Sequence, residues 1–302
     1  MYSKILVPLD ESKLAEMALP YARLLARRLE IPVELLTVID TTLVDSHVLG
    51  GKSRLLDSLV GESVKNSREY LSGIAETFGG TEVKCSAQKG PTAELIIRKA
   101  KAEAATLIAM TTHGRSGLHR VLLGSVAEKV LRGTANQLLL VRSTKDAKTE
   151  GEAMLKSIVV PLDGSDLAES VLPAVVEMAR KLSLEVILFR AFEIPYGLYA
   201  AANGYYAINF DKFIAETKAE INTYLDRKSE ELRRQGIEKV SSVSMEGLSA
   251  DQIISFARST PDNLVAMCSH GRSGLKRWAL GSVTETVVRY SGDPVLVLRA
   301  GT

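Results

Sequence analysis

The chain has 302 residues, 46% hydrophobic and 25% charged, a composition that excludes a largely disordered or collagen-like protein. Its 38 Lys and Arg against 36 Asp and Glu give a formal net charge of +2, so charge favours neither nucleic acid nor an anionic membrane as the partner. The sequence has two cysteines, no signal-peptide layout and no apolar stretch of the ~20 residues that a membrane helix needs. These features predict a cytoplasmic protein.

In chain order, the first half alternates predicted strands and helices. The short apolar run Lys4–Leu9 predicts a strand that is buried on both faces. Ser12 then stands where a helix N-cap would, ahead of an apolar-periodic stretch that continues to Leu29. The elements that follow are helices at 54–78, 92–101 and 125–131, and strands at 33–39, 82–87, 106–110 and 138–141.

The second half repeats the first. The segment Lys4–Asp10 recurs as Ser157–Asp163, and the 22 residues Thr111–Arg132 align without gaps to Cys268–Arg289 with 14 identities. Because a solenoid unit has roughly 20–50 residues, so long a repeat indicates a duplicated domain. The second set of strands is predicted near 157–162, 185–192, 238–245, 264–267 and 295–298.

A polar, charged segment connects the two copies and predicts an exposed linker. The predicted domains are residues 1–145 and 153–302, with the linker at 146–152. Strand–helix alternation favours a parallel sheet with helices on both faces, so the predicted fold class is α/β: two tandem Rossmann-like domains, each a five-stranded parallel sheet of order 3-2-1-4-5. Ligands bind such sheets beyond the carboxyl ends of the strands, where the strand order reverses. We therefore expect a site after strands one and four.

A glycine-rich loop follows the predicted fourth strand of the first copy. Gly114 and Gly117 leave no Cβ and permit positive φ, so backbone N–H groups can approach an anion closely. Gly124 and Ser125 then open a helix whose first N–H groups have no intrahelical partners and favour negative charge. The Ser125 hydroxyl either caps that helix or donates to a phosphate oxygen, and Arg115 can supply positive charge.

The second copy carries the same set as Gly271, Arg272, Gly274, Gly281 and Ser282. The alternative interpretation is a plain turn into a Ser-capped helix, and duplication alone can produce the recurrence. The histidines beside these glycines, His113 and His270, are either hydrogen-bonding loop residues or general acid–base groups. None of the four histidines has the spacing of a metal-ligand pair.

These residues resemble a known family. A first strand Val-Pro-Leu-Asp, followed after strand four by Gly-Arg-Ser-Gly-Leu and Leu-Gly-Ser-Val, is similar to the universal stress protein family across essentially both copies. Nucleotide-binding members of that family carry Gly-x2-Gly-x9-Gly-[Ser/Thr] after strand four. Nine residues separate Gly114 from Gly124, and nine separate Gly271 from Gly281, while the leading glycine of the motif is absent from both copies.

The resemblance implies a nucleotide site in each copy. Its residues in the first copy are Pro8, Asp10, Val38, Thr111, His113, Gly114, Arg115, Gly117, Gly124, Ser125 and Val126. Those in the second copy are Pro161, Asp163, Ala191, Cys268, His270, Gly271, Arg272, Gly274, Gly281, Ser282 and Val283. The strand-one Pro and Asp would lie by the adenine, Val38 and Ala191 would line the base pocket, and the others would follow the ribose and phosphates. Independently of the resemblance, Asp10 and Asp163 each lie where a carboxylate could accept a hydrogen bond from an adenine amine. The alternative is that each is simply a loop residue near the start of a helix.

Two further segments lie outside this motif. Residues 193–208 hold four of the nine tyrosines and form a lid over the second site, an oligomer contact or an ordered surface loop. Leu138–Val141 and Val295–Leu298 are apolar edge candidates. The resemblance implies that the two lobes pair through them as a pseudo-dimer, with a homodimer of chains as a further alternative.

The leading functional hypothesis is ATP in each lobe, with ADP or AMP as alternatives and Mg²⁺ held by the phosphates. The resemblance implies a nucleotide-dependent sensor or regulator of the stress response with at most slow ATP hydrolysis. Apart from the two histidines, no candidate general base and no acidic pair surrounds the glycine loop. The alternatives are a nucleotide-free dimerising scaffold and an ATP-using nucleotidyltransferase or hydrolase. The sequence lacks the His-x-Gly-His and Ser-Gly-Gly-x-Asp-Ser motifs that the enzyme alternative would need.

Overall fold

The computed structural model describes residues 2–41, 53–113, 123–142, 149–194, 210–269 and 280–299. These residues form two compact units, the first of which runs to Met154 and the second of which starts at Leu155. Each unit is an α/β fold with a parallel sheet, as the sequence predicts. Within the described ranges no helix has both the length and the apolar character needed to cross a membrane.

In the first unit the sheet order is β3-β2-β1-β4-β5, and every described pairing is parallel. The connection β1 to β2 runs to one side of β1 and that from β3 to β4 runs to the other, so the strand order reverses between β1 and β4. The elements are β1 (Lys4–Pro8), α1 (Lys13–Glu16), α2 (Leu19–Leu29), β2 (Val33–Ile39), α3 (Ser53–Glu76), β3 (Val83–Lys89), α4 (Thr92–Lys101), β4 (Thr106–Thr111), α5 (Ser125–Gly133) and β5 (Leu138–Val141).

The second unit repeats this topology with the order β8-β7-β6-β9-β10. Its elements are β6 (Ser157–Pro161), α6 (Asp166–Glu169), α7 (Leu172–Leu182), β7 (Glu185–Phe192), α8 (Phe210–Arg234), β8 (Val240–Glu246), α9 (Ser249–Ser259), β9 (Asn263–Cys268), α10 (Ser282–Tyr290) and β10 (Val295–Leu298). The predicted order 3-2-1-4-5 therefore holds in each unit.

The central strands form the core of each unit. Ile5, Leu6 and Val7 of β1 have no exposed surface, and neither do Ile158, Val159 and Val160 of β6. Side chains alternate between the two faces of a strand, so burial of three successive residues requires cover on both faces. This is why the first strand of each copy is a continuous apolar run.

The predicted helix from Ser12 to Leu29 is in fact two helices. Ser12 caps α1 as predicted, since its side chain accepts from the backbone N–H of Ala15, but the helix ends at Glu16 and α2 begins at Leu19. Pro20 lies in the first turn of α2, where its missing N–H costs nothing, whereas inside a helix it would remove a bond. The second unit breaks in the same way before Pro173.

Candidate functional site

A cavity of about 210 Å³ opens at the carboxyl ends of β1, β2 and β4 in the first unit. This is the edge where the strand order reverses, which is the expected ligand position in a parallel sheet. The residues that line it are Pro8, Leu9, Asp10, Ala15, Leu36, Val38, Thr92, Ile96, Met110, Thr111, Thr112, His113, Gly124, Ser125, Val126 and Ala127.

One end of this cavity is an apolar slot. Pro8 pairs in register with Leu36, and Val38 lies two residues further along β2, so the side chains of Leu36 and Val38 share one face of the sheet. Ile96 of α4 and Met110 of β4 add further apolar surface. A slot with these walls suits a flat, weakly polar ring.

Asp10 organises the turn between β1 and α1 beside this slot. Its Oδ1 accepts from the backbone N–H of Ser12 at 3.1 Å and from the Ser12 hydroxyl at 2.6 Å. The Ser12 Oγ in turn accepts from the N–H of Ala15 at 3.1 Å. The chain of bonds fixes the carboxylate at the cavity edge, so Asp10 has a structural role in the turn as well as a place in the lining.

The opposite end of the cavity is the N-terminus of α5. Gly124 is the N-cap residue, no side chain caps the helix, and the first intrahelical bond runs from the N–H of Glu128 to the carbonyl of Gly124 at 2.8 Å. The N–H groups of Ser125, Val126 and Ala127 therefore have no acceptor within the helix. The alternative in which the Ser125 hydroxyl caps the helix is wrong, because Ser125 is its first residue rather than its cap.

Gly124 also closes the loop that precedes the helix. Its N–H donates to the carbonyl of Thr112 at 2.8 Å, and a Cβ at Gly124 would lie 3.0 Å from that same oxygen. The N–H of Thr112 is held by the carbonyl of Val141 at 2.9 Å. Thr112 and Gly124, which flank the glycine-rich segment in the sequence, therefore both line the cavity.

The second unit has a cavity of about 610 Å³ at the equivalent edge. Pro161 pairs with Phe189 as Pro8 pairs with Leu36, so Ala191 has the register of Val38, as the sequence predicts. The lining residues are Pro161, Leu162, Asp163, Ala168, Phe189, Arg190, Ala191, Phe192, Glu193, Thr217, Glu220, Ile221, Ser249, Ile253, Met267, Cys268, Gly281, Ser282, Val283 and Thr284.

The two polar ends of the first cavity recur in this unit. The Oδ1 of Asp163 accepts from the N–H and the hydroxyl of Ser165 at 2.9 and 2.6 Å. Gly281 is the N-cap residue of α10, again with no side-chain cap, and its N–H donates to the carbonyl of Ser269 at 2.7 Å. The duplication has therefore preserved an acidic turn and an uncapped helix start around one cavity.

Thr111 and Cys268 occupy equivalent ends of β4 and β9 but bond differently. The Thr111 hydroxyl donates to the carbonyl of His113 at 2.7 Å, whereas the Sγ of Cys268 lies 3.0 Å from the Oγ of Ser170. Burial raises the pKa of the Cys268 thiol, against hydrogen bonds from Ser170 and the Val171 backbone that lower it. The thiol is buried, and because its pKa is raised it stays protonated at neutral pH.

His113 lies at the start of the glycine loop. Burial lowers its pKa, and the positive charge of Arg142 lowers it further. The Nδ1 of the ring lies 3.0 Å from the Oγ1 of Thr112. A neutral, hydrogen-bonded imidazole is therefore the form at pH 7.

Every predicted site residue in the described ranges, His113 included, lines the cavity of its own unit. The predicted residues Gly114, Arg115, Gly117, His270, Gly271, Arg272 and Gly274 lie outside the described residues, as does most of the Tyr-rich segment. Sequence reasoning missed the apolar walls, which are Leu36, Ile96 and Met110 with their equivalents Phe189, Ile253 and Met267. Their signal was available in the repeat, because each of these positions is apolar in both copies.

Among the described residues, side chains that could bind a metal together are scarce. In the part of the chain that the structure describes, no three His, Cys, Asp or Glu side chains come together as a metal site. A cation at either cavity would therefore need most of its ligands from a bound molecule or from water.

Comparison with known proteins identifies the relatives of both units. A family model described as the universal stress protein family matches residues 1–142 and again 154–299. A universal stress protein of Methanocaldococcus jannaschii is 28% identical over 149 residues, which are 49% of this chain and 85% of that protein. The universal stress protein YxiE of Bacillus subtilis is 28% identical over 149 residues, which are 48% of this chain and 100% of that protein. The crystal structure of a universal stress protein from Archaeoglobus fulgidus covers 100% of both chains with a TM-score of 0.71 at 20% identity, a likeness of fold.

Proposed function

The chain belongs to the universal stress protein family and carries the family's domain twice, and from this premise we propose that each unit binds ATP, with ADP and AMP as alternatives. The bound nucleotide makes the protein a sensor or regulator of the stress response, and any hydrolysis is slow.

The observation that carries the proposal is an uncapped helix start and an apolar slot in the same cavity. The N–H groups of Ser125, Val126 and Ala127 begin α5 without intrahelical acceptors, and all three residues line the cavity. A polyphosphate satisfies such groups, and the helix dipole adds typically about 0.3–1 kcal/mol for a charge at this position. Ser282 and Val283 begin α10 in the same way.

The base end supports adenine. Leu36 and Val38 offer a flat apolar wall, and Asp10 stands beside it as an acceptor for the exocyclic amine. An ionised carboxylate has about four acceptor positions, and the turn uses two of them at Oδ1. A base amine that enters the slot would be a further donor to this carboxylate, beside the bonds that it already accepts.

Mg²⁺ enters this proposal with the nucleotide. The described residues supply no cluster of three metal-binding side chains, so the β- and γ-phosphates and water would provide the ligands, as Mg²⁺ usually requires. The chain's own contribution is the backbone cradle at Gly124, where a Cβ would lie 3.0 Å from the Thr112 carbonyl oxygen. The cation would neutralise phosphate charge there.

The Ser125→Asp variant tests the phosphate end without disturbing the fold. Ser125 is exposed, and an acidic residue in the first turn stabilises a helix, but its charge repels a polyphosphate. We expect calorimetric titration with ATP and Mg²⁺ to give two sites per chain for the parent protein and one for the variant. Ser282→Asp should remove the other site.

Lys129→Gln is the matched control. It removes one positive charge from the exposed face of the same helix, away from the cavity, and should leave both sites intact. Two unaltered sites in Ser125→Asp would contradict a phosphate position at α5. Absence of ATP binding in the parent protein would favour the nucleotide-free scaffold.

A further inference from the structure

The second cavity reaches both faces of its sheet, whereas the first lies on one face. Leu36 and Val38, the residues of β2 that line the first cavity, are two positions apart and therefore share a face. β7 contributes Phe189 and Ala191 on the equivalent face, and also side chains of the opposite face such as Phe192. The second cavity is accordingly the larger, at about 610 Å³ against about 210 Å³.

Helix α8 lines the additional part of the second cavity, through Thr217, Glu220 and Ile221. Among the described residues that line the first cavity, none belongs to the equivalent helix α3. We call the part of the second cavity between Phe192 of β7 and these three residues the annex. Phe192 and Ile221 are buried and apolar, so the inner wall of the annex suits a hydrocarbon group.

A hydrogen bond spans the corresponding space in the first unit. Glu11 lies in the turn after β1, and its Oε1 accepts from the hydroxyl of Ser67 on α3 at 2.6 Å. Ser67 is buried, with 2% of its surface exposed. The bond joins the turn to the helix, and so separates the first cavity from the face of β2 that lies toward α3.

The helix partner in this bond is replaced in the second unit. Tyr70 and Tyr224 are equivalent, because each donates its hydroxyl to the last glutamate of the first short helix of its unit. Ser67 precedes Tyr70 by three residues, and Ile221 precedes Tyr224 by three. An apolar side chain on α8 thus occupies the position of the serine donor.

The turn partner is replaced as well. Gly164 stands where the first unit has Glu11, and both have positive φ, +83° and +67°. A Cβ at Gly164 would lie 3.1 Å from Nη1 of Arg190, whose Cζ lies 5.0 Å from the centre of the Tyr224 ring. Arg190 is therefore a side wall of the annex, beside a turn that has no side chain to reach across to α8.

The annex opens beside the base end of the proposed nucleotide site. Asp163, which precedes Gly164 and lines this cavity, is the counterpart of Asp10, the proposed acceptor for the exocyclic amine of adenine. An amine that carries one substituent keeps one N–H to donate to such a carboxylate. The substituent then points past the aspartate toward the turn, where the second unit has the annex and the first has the bond between Glu11 and Ser67.

We propose, resting on the nucleotide function assigned above, that the second unit accepts adenine nucleotides with a hydrocarbon substituent on the exocyclic amine and that the first unit rejects them. The bond between Glu11 and Ser67 sets the size limit of the first site. Phe192 and Ile221 provide the apolar surface on which the substituent packs in the second.

The probe is N6-benzyl-ATP, in which a benzyl group replaces one hydrogen of the amine. It is titrated with Mg²⁺ into the full chain, in parallel with ATP. At concentrations at which ATP fills two sites, we expect one molecule of the probe per chain, because forcing the benzyl group into closed space should weaken binding at the first site at least about tenfold. Ser282→Asp should leave only this weak binding, whereas Ser125→Asp should leave the tight site.

Glu11→Gly opens the first site. Glu11 is exposed, and its φ of +67° suits glycine, so we expect this variant to fold and to bind two molecules of the probe with similar affinity. Glu30→Gly is the matched control, because Glu30 is also exposed, has φ +56° at the end of α2 and does not line the cavity. It should keep the stoichiometry of the probe at one.

Three results would overturn the inference while ATP still binds at two sites: equal affinity of both sites for the probe, no binding of the probe, or an unchanged stoichiometry in Glu11→Gly. Loss of the tight probe site in Ser125→Asp, but not in Ser282→Asp, would overturn it too. A chain that binds neither ATP nor the probe would overturn the proposed function together with this inference. Should Glu11→Gly fail to fold, the two serine variants still show which unit holds the probe.

Discussion

At Gly124 the backbone comes closer to its neighbour than most side chains allow. A Cβ there would lie 3.0 Å from the carbonyl oxygen of Thr112, to which the Gly124 N–H already donates at 2.8 Å. The position is also the N-cap of α5, where Gly is preferred well above Ala. Two independent effects thus make this glycine necessary.

Gly124→Ala should therefore destabilise the protein by about 1–3 kcal/mol, the usual cost of an added methyl in tight surroundings. Gly61→Ala is the contrast, since Gly61 lies within α3 with no atom within 4 Å of its added Cβ. Alanine there should stabilise by about 0.5–1 kcal/mol. Urea unfolding of both variants measures the difference, and equal effects of the same sign would refute the close approach.

Asp293 is a half-buried acid whose Oδ2 has no hydrogen-bond partner among the described residues. Burial raises its pKa above the ordinary value of 3.8, although the Asn263 amide, the Arg258 charge and the Ser291 hydroxyl lower it. A raised pKa means that the folded state binds the proton more tightly than the unfolded chain does. The free energy of unfolding therefore falls as pH rises from the ordinary value through the raised one.

Asp293→Asn should remove this loss. Asn is the residue at the equivalent position 136 of the first unit, where its Nδ2 lies 3.1–3.3 Å from four backbone carbonyl oxygens to which its two N–H groups can donate. We expect the variant to gain stability relative to the parent protein as pH rises above 3.8. Denaturant titrations at several pH values give this difference, and a constant offset between the two proteins would contradict it.

At the scale of elements, the two units differ in the residues that pack between the first two strands and the helix that follows the third strand. Glu34 of β2 is nearly buried and pairs with Lys4 of β1 at 3.1 Å and with Lys99 of α4. The equivalent residues of the second unit are Ser157, Ile187 and Phe256, and the Phe256 ring packs 5.1 Å from that of Phe189. An ionic cluster in one copy is an apolar contact in the other.

Replacing the cluster by its counterpart tests what the charges contribute. The triple variant Lys4→Ser, Glu34→Ile and Lys99→Phe should be neutral or stabilising by about 1–4 kcal/mol, because exchanging a buried ion pair for packed apolar groups spares the desolvation cost. Glu34→Gln alone should instead destabilise by about 2–4 kcal/mol, since it leaves Lys99 without its acid and Lys4 with Glu103 alone. A triple variant less stable than Glu34→Gln would refute this account.

The same cluster predicts an acid-side pH dependence. Burial alone would raise the pKa of Glu34, but the hydrogen bonds and charges of Lys99 and Lys4 outweigh it and lower the pKa below 4.5. Its stabilisation is therefore complete above 4.5 and is lost as pH falls through the lowered value. The triple variant should lack this loss at acid pH, and retention of the full loss would contradict the assignment to Glu34.

At the scale of the whole molecule, the duplication explains what the sequence could predict. Continuous apolar runs such as Lys4–Pro8 exist because both faces of a central strand are covered, and the matched motifs place Gly124 and Gly281 at equivalent helix starts. The break before Pro20 was missed although a proline is itself a local signal for a helix start. The approach of Lys4 and Lys99 to Glu34 was not predictable, because it depends on residues brought together by folding. Pairing of the units through β5 and β10, and any homodimer of chains, stays a prediction of the family resemblance.

The central claim is that each unit holds a nucleotide, and stoichiometry tests it most directly. The nucleotide released from the purified chain, and that bound after incubation with ATP and Mg²⁺, can be identified by mass and counted per chain. The account predicts two nucleotides per chain, one for each cavity. A chain that holds none after this incubation would contradict it.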